Sequence, residues 1–219
     1  MTQYFDTHAH YDSGKFNADR DEVLRAVHDS GVALVVDPGD SGVTSERAVA
    51  LAQAHDFVYA AVGWHPEEAD SWTDSSLAHI HALAAQPKVC AIGEIGLDYY
   101  WDASTKAKQE RMFRAQLELA LELDLPVIVH DREAHGDSLR IVCDYPQLRG
   151  VFHCYSGSVE MARELLRRGW YLGFDGPITY KNAAKAPEVI AACPVERILL
   201  ETDSPYLAPV PNRGKRNDS

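Results

Sequence analysis

No C-x-x-C pair occurs, and the four cysteines (Cys90, Cys143, Cys154 and Cys193) are scattered through 219 residues. That excludes a disulfide framework and reads as reduced thiols in a cytosolic protein. Basic residues are scarce: 21 Lys and Arg stand against 33 Asp and Glu, a net charge of −12. A general basic surface for nucleic acid or anionic lipid is therefore excluded. No apolar run approaches the ~18 residues of a membrane span. The start, Met1-Thr-Gln-Tyr-Phe-Asp6, lacks the basic and apolar regions of a secretory signal. Neither a low-complexity linker nor a composition shift marks a boundary, so residues 1–219 read as one soluble, cytoplasmic domain. A chain this long buries roughly 70% of its unfolded surface, so it needs no metal merely to fold.

Eight short apolar runs are present, each suited to a buried parallel strand. They lie near Gln3–Thr7, Val32–Asp37, Val58–Gly63, Val89–Glu94, Pro126–His130, Gly150–His153, Tyr171–Phe174 and Ile198–Glu201. The spacing of about 28 residues is that of a repeated strand and helix. Helical patterns fill the gaps. Lys108–Leu123 carries Phe113, Leu117, Ala120 and Leu121 on one stripe, and Val159, Ala162, Leu165 and Leu166 mark another, with Gly169 as its C-terminal stop. Asp19 with Glu22 predicts a capping box for the first helix. Eight such units argue for an α/β fold of the (β/α)8 TIM-barrel type. An open doubly wound sheet is the alternative, but no G-x-G-x-x-G follows the first strand to support its dinucleotide-binding form. The last helical segment is missing: sixteen residues follow Asp203, with Pro205, Pro209 and Pro211 among them. The chain thus reads as a shortened form whose eighth and first strands expose apolar surface.

In such barrels function gathers where strands end. The first run leads into Asp6-Thr-His8-Ala-His10, whose imidazoles share one side of an extended chain and suit a common ion. Other runs end in Trp64-His65, Gly93-Glu94, Val129-His130, Phe152-His153 and Glu201-Thr-Asp203. Singly, each histidine reads as a structural hydrogen-bonding group, Glu94 as a helix cap and Asp203 as an anchor for the turn after it. Together, five of the ten histidines fall at strand ends, a density of buried charge that a cation would compensate.

The D-T-H-A-H start, G-E-I-G-L-D-Y-Y, V-I-V-H, F-H-C-Y-S-G and E-T-D-S-P-Y-L-A-P resemble the TatD family of metal-dependent deoxyribonucleases in order and spacing, from Phe5 to Asn217. The resemblance implies an amidohydrolase-type barrel. It places His8, His10 and Asp203 on one metal, His130 and His153 on a second, and Glu94 between the two. Two divalent ions so held serve phosphodiester hydrolysis, with Asp203 and Glu94 as catalytic carboxylates and Asp203 as proton acceptor. Oxygen and nitrogen donors suit Mg²⁺, Mn²⁺ or Zn²⁺. His65 matches a position near substrate, and otherwise packs behind the ligands against Trp64. Arg213 and Lys215 read either as a phosphate clamp or as a solvated basic tail. Tyr99, Tyr100, Trp101 and Tyr155 follow ligand-bearing strands; loop packing is their commoner fate, and one at most is expected to stack on a base. The negative charge favours exonucleolytic action on single-stranded DNA ends over duplex coating; the resemblance suggests a 3′ to 5′ direction. A metal-dependent amide or ester hydrolase, such as a D-aminoacyl-tRNA deacylase, uses the same centre. A non-catalytic partner-binding barrel is a third reading. No membrane contact and no obligate protein partner is expected.

Overall fold

The structure, a computed structural model, describes residues 3–219. Eight strands form one parallel sheet in sequence order: β1 Tyr4–Asp6, β2 Val32–Pro38, β3 Val58–Val62, β4 Val89–Asp98, β5 Val127–Arg132, β6 Gly150–Phe152, β7 Tyr171–Phe174 and β8 Ile198–Leu200. The sheet curls until its edges meet just past β1 and β8. There Thr7 N–H donates to Leu200 C=O (3.1 Å) and Asp203 N–H to His8 C=O (2.9 Å), and Ala9 forms a parallel bridge with Ser204. The result is the eight-stranded, nearly closed TIM-like barrel that the strand spacing predicts.

Helices α1 Arg20–Asp29, α2 Gly42–Ala54, α3 Ser76–Ala84, α4 Lys106–Glu122, α5 His135–Cys143, α6 Val159–Arg167 and α7 Ala186–Ala192 follow β1 to β7. Strand alternation divides the core in two. One set of strand residues (Val35, Val62, Ile92, Val129, Phe152) packs with Leu24, Ala48, Ile80, Phe113, Ile141 and Leu165 of the helices. The other set, Val36, Ala61, Ala91, Ile128 and Val151, forms a smaller cluster inside the barrel. Phe113, Leu117 and Ala120 of α4 are fully buried, as their spacing requires, whereas Leu121 is only partly covered. Gly169 lies just past α6 at φ +87°, a left-handed stop that glycine adopts without steric cost.

Three features depart from the sequence reading. Asp19 is the N-cap of α1 but makes no capping bond; its carboxylate instead takes two bonds from Arg216, at 2.8 and 2.6 Å. A bidentate guanidinium outcompetes a backbone N–H for the same oxygens. β4 does not end at Glu94 but runs on to Asp98, after an irregularity in its register with β5 between Ile92 and Ile95. The bare Gly96 permits that continuation: its φ is +146°, and a Cβ there would lie 2.0 Å from the His130 carbonyl oxygen. Finally, the chain closes on itself more firmly than loop chemistry suggests. Asn217 donates to Thr202 C=O (2.9 Å), and Ser219 bonds both Tyr11 and Asp6.

After β8 the chain runs in turns and loops, in keeping with its prolines. Tyr4 and Phe5 of β1 and Leu200 of β8 are exposed, the two strands on which apolar surface is expected, and Leu34 of β2 is exposed as well. Among the described residues, no helix is long and apolar enough to cross a membrane.

Candidate metal centre

The side chains of His8, His10, Glu94, His130, His153 and Asp203 converge at the end of the barrel to which the strands' C-termini point. Glu94 is at the middle, 3% exposed, and its two oxygens face different ways. Oε2 lies 3.2 Å from His8 Nε2 and 3.7 Å from His10 Nε2. Oε1 lies 2.7 Å from His153 Nε2, 2.9 Å from His130 Nδ1 and 3.5 Å from His65 Nε2. Asp203 joins the first group, its Oδ1 3.4 Å from His10 Nε2 and 3.7 Å from His8 Nε2. With 15% of its side chain exposed, Asp203 is the carboxylate that meets solvent.

Local structure explains why these groups meet. Asp6, buried at the end of β1, accepts the N–H groups of both His8 and Thr202 (3.1 Å each) and the Thr202 hydroxyl (2.6 Å). One carboxylate thereby ties the segment bearing His8 and His10 to the segment bearing Asp203. Asp203 itself sits at φ +56°, a left-handed conformation that aspartate tolerates better than branched residues do. His153 follows β6, fixed by its N–H to Val129 C=O (3.1 Å).

Behind the imidazoles stand groups that orient them. Asp98 Oδ2 lies 3.0 Å from His130 Nε2 and accepts its N–H, so the ring on giving up one proton keeps the other on Nε2 and turns Nδ1 to Glu94. Glu201 Oε1 lies 3.7 Å from His153 Nδ1, on the side of the ring away from Glu94. His8 stacks on His153 with centroids 4.0 Å apart, and His8, His153 and Glu201 form one group with metal-binding spacing. His10 Nδ1 lies 3.1 Å from Pro38 C=O. Asp98 and Glu201 carried no role in the sequence reading. The signal for Asp98 was its position: residues 94, 96 and 98 share one face of a strand. Once β4 is taken to end at Glu94, that signal disappears.

Electrostatics follows the geometry. Burial opposes ionisation of Glu94, but His153, His8 and His65 around it hold its carboxyl well below the usual range. Burial and the neighbouring His153 push His8 down to about 4, so it is neutral with a free lone pair. His130 is raised to about 9 against its burial, by Asp98 and Glu94; His153 is raised to about 10 chiefly by Glu94. Burial and the carboxylates Asp175, Asp203 and Glu201 raise the Cys154 thiol far above its ordinary value.

These residues fit divalent ions. His8 Nε2 and His10 Nε2 face each other at 3.1 Å, and His130 Nδ1 and His153 Nε2 at 3.4 Å. Each pair can share a proton or hold a cation in its place, and among the described residues the buried Nδ1 atoms of His8 and His153 have no hydrogen-bond partner. His8, His10 and Glu94 form one group with metal-binding spacing; His65, Glu94 and His130 form another. His65 differs in kind: its Nδ1 accepts Glu67 N–H (3.2 Å), so the neutral ring carries its proton on Nε2, facing Glu94. It is placed to donate a hydrogen bond.

Among the described residues, the side chains of the remaining sequence candidates make no hydrogen bond or ion pair with this cluster. Arg213 covers the Tyr180 ring at 4.3 Å, and Lys215 Nζ bonds Asn212 Oδ1 (3.0 Å). Among the described residues neither makes an ion pair with the cluster. Tyr99 is partly buried with its hydroxyl 3.3 Å from Asp137, and Tyr155 is buried with its hydroxyl on Ser158 C=O (2.7 Å). Tyr100 and Trp101 remain exposed.

Comparison with known proteins gives one consistent answer. Residues 5–219 match the family model of TatD related DNase. The uncharacterized metal-dependent hydrolase YabD of Bacillus subtilis is 44% identical over 216 residues, covering 98% of this chain and 85% of that protein. The 3′-5′ ssDNA/RNA exonuclease TatD of Cronobacter sakazakii is 39% identical over 208 residues, covering 94% and 79%. The crystal structure of YjjV, a TatD homologue from Escherichia coli, superposes with a TM-score of 0.92 at 34% identity, covering 98% of this chain and 84% of that one. With a barrel and a His-carboxylate cluster of this kind, the chain belongs to the TatD family of metal-dependent hydrolases.

Proposed function

We propose that the protein hydrolyses phosphodiester bonds at the ends of single-stranded DNA, releasing nucleotides in the 3′ to 5′ direction. The observation that carries this reading is the division of Glu94 between two sets of imidazoles, one oxygen to each. In this proposal His8, His10 and Asp203 hold one divalent ion, His130 and His153 hold the other, and Glu94 serves both. Ions so held supply Lewis acidity toward the phosphoryl oxygens and an activated water at neutral pH.

The chain's own residues do the rest. Asp203, ionised and reaching solvent, accepts a proton from the attacking water. His65 Nε2–H donates to a phosphate oxygen, its tautomer set by Glu67 N–H. Asp98 keeps a proton of His130 on Nε2, the nitrogen that faces away from Glu94. The net charge of −12 disfavours an extended duplex track, whose affinity comes from neutralising many phosphates. A single-stranded end held at one site needs far fewer cations. The relative named as an ssDNA/RNA exonuclease supports the same substrate class.

The test is hydrolysis of single-stranded DNA labelled at its 5′ end, with Mg²⁺, Mn²⁺ or Zn²⁺ and with chelator. A ladder shortening from the 3′ end, abolished by chelator and slowed at least tenfold in Asp203→Asn, is the expected result. No cleavage with any of the three metals, of DNA or of bis(p-nitrophenyl) phosphate, would overturn the reading.

A further inference from the structure

Two large aromatic side chains stand in water beside the metal centre. Trp101 is 64% exposed and Tyr100 55%, with their rings at 87° and centroids 4.8 Å apart. Surface aromatics of this size forfeit apolar burial that a folded chain otherwise gains. Their main chain is held in place: Asp98 Oδ1 accepts the backbone N–H groups of Tyr100 (2.8 Å) and Trp101 (3.3 Å). The other oxygen of the same carboxylate bonds His130. The aromatic pair is thus one side chain away from the candidate metal ligands.

A guanidinium completes the arrangement. Asp98 pairs with Arg132 in the register of β4 and β5, which brings Arg132 under the pair, 3.9 Å from the Tyr100 ring centroid and 5.2 Å from that of Trp101. Among the described residues, the Arg132 side chain makes no hydrogen bond or ion pair. Its five donors remain available for phosphate oxygens. On the other flank of Trp101 lies a cavity of about 110 Å³, whose lining includes Glu67, Asp70 and Asp102. A phosphate is repelled there, whereas the amino edge of a base finds acceptors.

We infer that Tyr100, Trp101 and Arg132 form a nucleotide subsite next to the metal centre. A base stacks on the face of Trp101, against which Tyr100 stands edge-on, with its edge toward the acidic cavity, and a phosphate lies on Arg132. This subsite rests on the phosphodiesterase reading for its place in the reaction, but binding tests it separately. It gives an acidic protein a way to hold a single strand through π faces, which a base-paired duplex does not offer.

The experiment uses the full chain with metal removed by chelator, so that no cleavage occurs. Binding of d(A)7 is followed by tryptophan fluorescence and by calorimetry, with circular dichroism confirming that each variant is folded. The wild type is expected to lose affinity at least fivefold when one particular nucleotide is made abasic, as an abasic site is walked through the oligomer. Trp101→Ala should lose a similar factor with the intact oligomer and show no further loss with the abasic one, while Trp101→Phe restores most of the binding. Arg132→Gln should lower the salt dependence of log Kd by roughly 0.7, the contribution of one single-strand phosphate contact. Equal affinity of wild type and Trp101→Ala for d(A)7, or indifference of the wild type to every abasic position, would overturn the inference. Hydrolysis of bis(p-nitrophenyl) phosphate by the metal-loaded wild type separates the two ideas. Its absence would sink the phosphodiesterase reading and leave the binding result standing on its own.

Discussion

Asp98→Asn isolates the orientation of one imidazole. The wild-type carboxylate accepts from His130 Nε2 at 3.0 Å and from two backbone N–H groups through its other oxygen. Asparagine has the same shape but one accepting oxygen. If that oxygen keeps the Tyr100 and Trp101 N–H groups, the amide nitrogen faces His130 Nε2 and donates to it. The ring then carries its proton on Nδ1, 2.9 Å from Glu94, and the lone pair proposed to hold a metal points the wrong way. Loss of such a supporting carboxylate costs about 10–100-fold in metal affinity, or roughly 1.4–2.7 kcal/mol. The effect should fall on one ion of the pair, because His8, His10 and Asp203 are untouched. Competition with a fluorescent chelator should resolve one weakened site and one unchanged site. ¹⁵N-resolved NMR of the metal-free protein, titrated above the His130 pKa of about 9 so that the ring is neutral, should show its tautomer reversed. Two unchanged affinities with an unchanged tautomer would refute the reasoning; a matching loss at both sites would show that Asp98 acts on the fold instead.

Other consequences are as direct. Glu94→Ala should remove the shared group and leave calorimetric stoichiometry below two ions per chain; retention of two tight ions would exclude it as a bridge. His130 and His153 hold protons well above pH 7 without metal, and must release them to coordinate, so metal binding should expel protons at pH 7. Heats measured in buffers of different ionisation enthalpy check this, and buffer-independent heats would contradict it. The sign for stability follows: these histidines have folded pKa values of about 9 and 10, above the unfolded value near 6.5. Their stabilisation is complete below about pH 6.5 and is lost as pH rises through 9 and 10. The metal-free protein should therefore melt lower at pH 9 than at pH 7, and the loaded protein should show a smaller drop. Gly96→Ala sets a Cβ against the His130 carbonyl oxygen, so urea unfolding should report a loss of about 2 kcal/mol or more; a neutral result would mean that β4 and β5 separate freely there.

What the sequence made legible, and what it hid, divides along a physical line. Strand count, strand order and the convergence of His8, His10, His130, His153 and Asp203 were readable because parallel strands are short apolar runs. A barrel then sends every strand's C-terminal end to one rim. Those ligand positions depend only on which residue comes next after an apolar run, a local property. Glu94 was readable as a residue but not as a place: β4 continues past it because Gly96 lets His130 come close, and that contact joins residues distant in the chain. The roles of Asp98 and Glu201 are non-local in the same sense, since each is defined by the histidine behind which it stands. Asp19 shows the converse error: a local capping pattern lost its carboxylate to Arg216, nearly two hundred residues away. A supporting carboxylate has no signature beyond its charge until the fold supplies its partner. That is why the histidines and carboxylates that converge here can be read from the chain, while the carboxylates standing behind them require the structure.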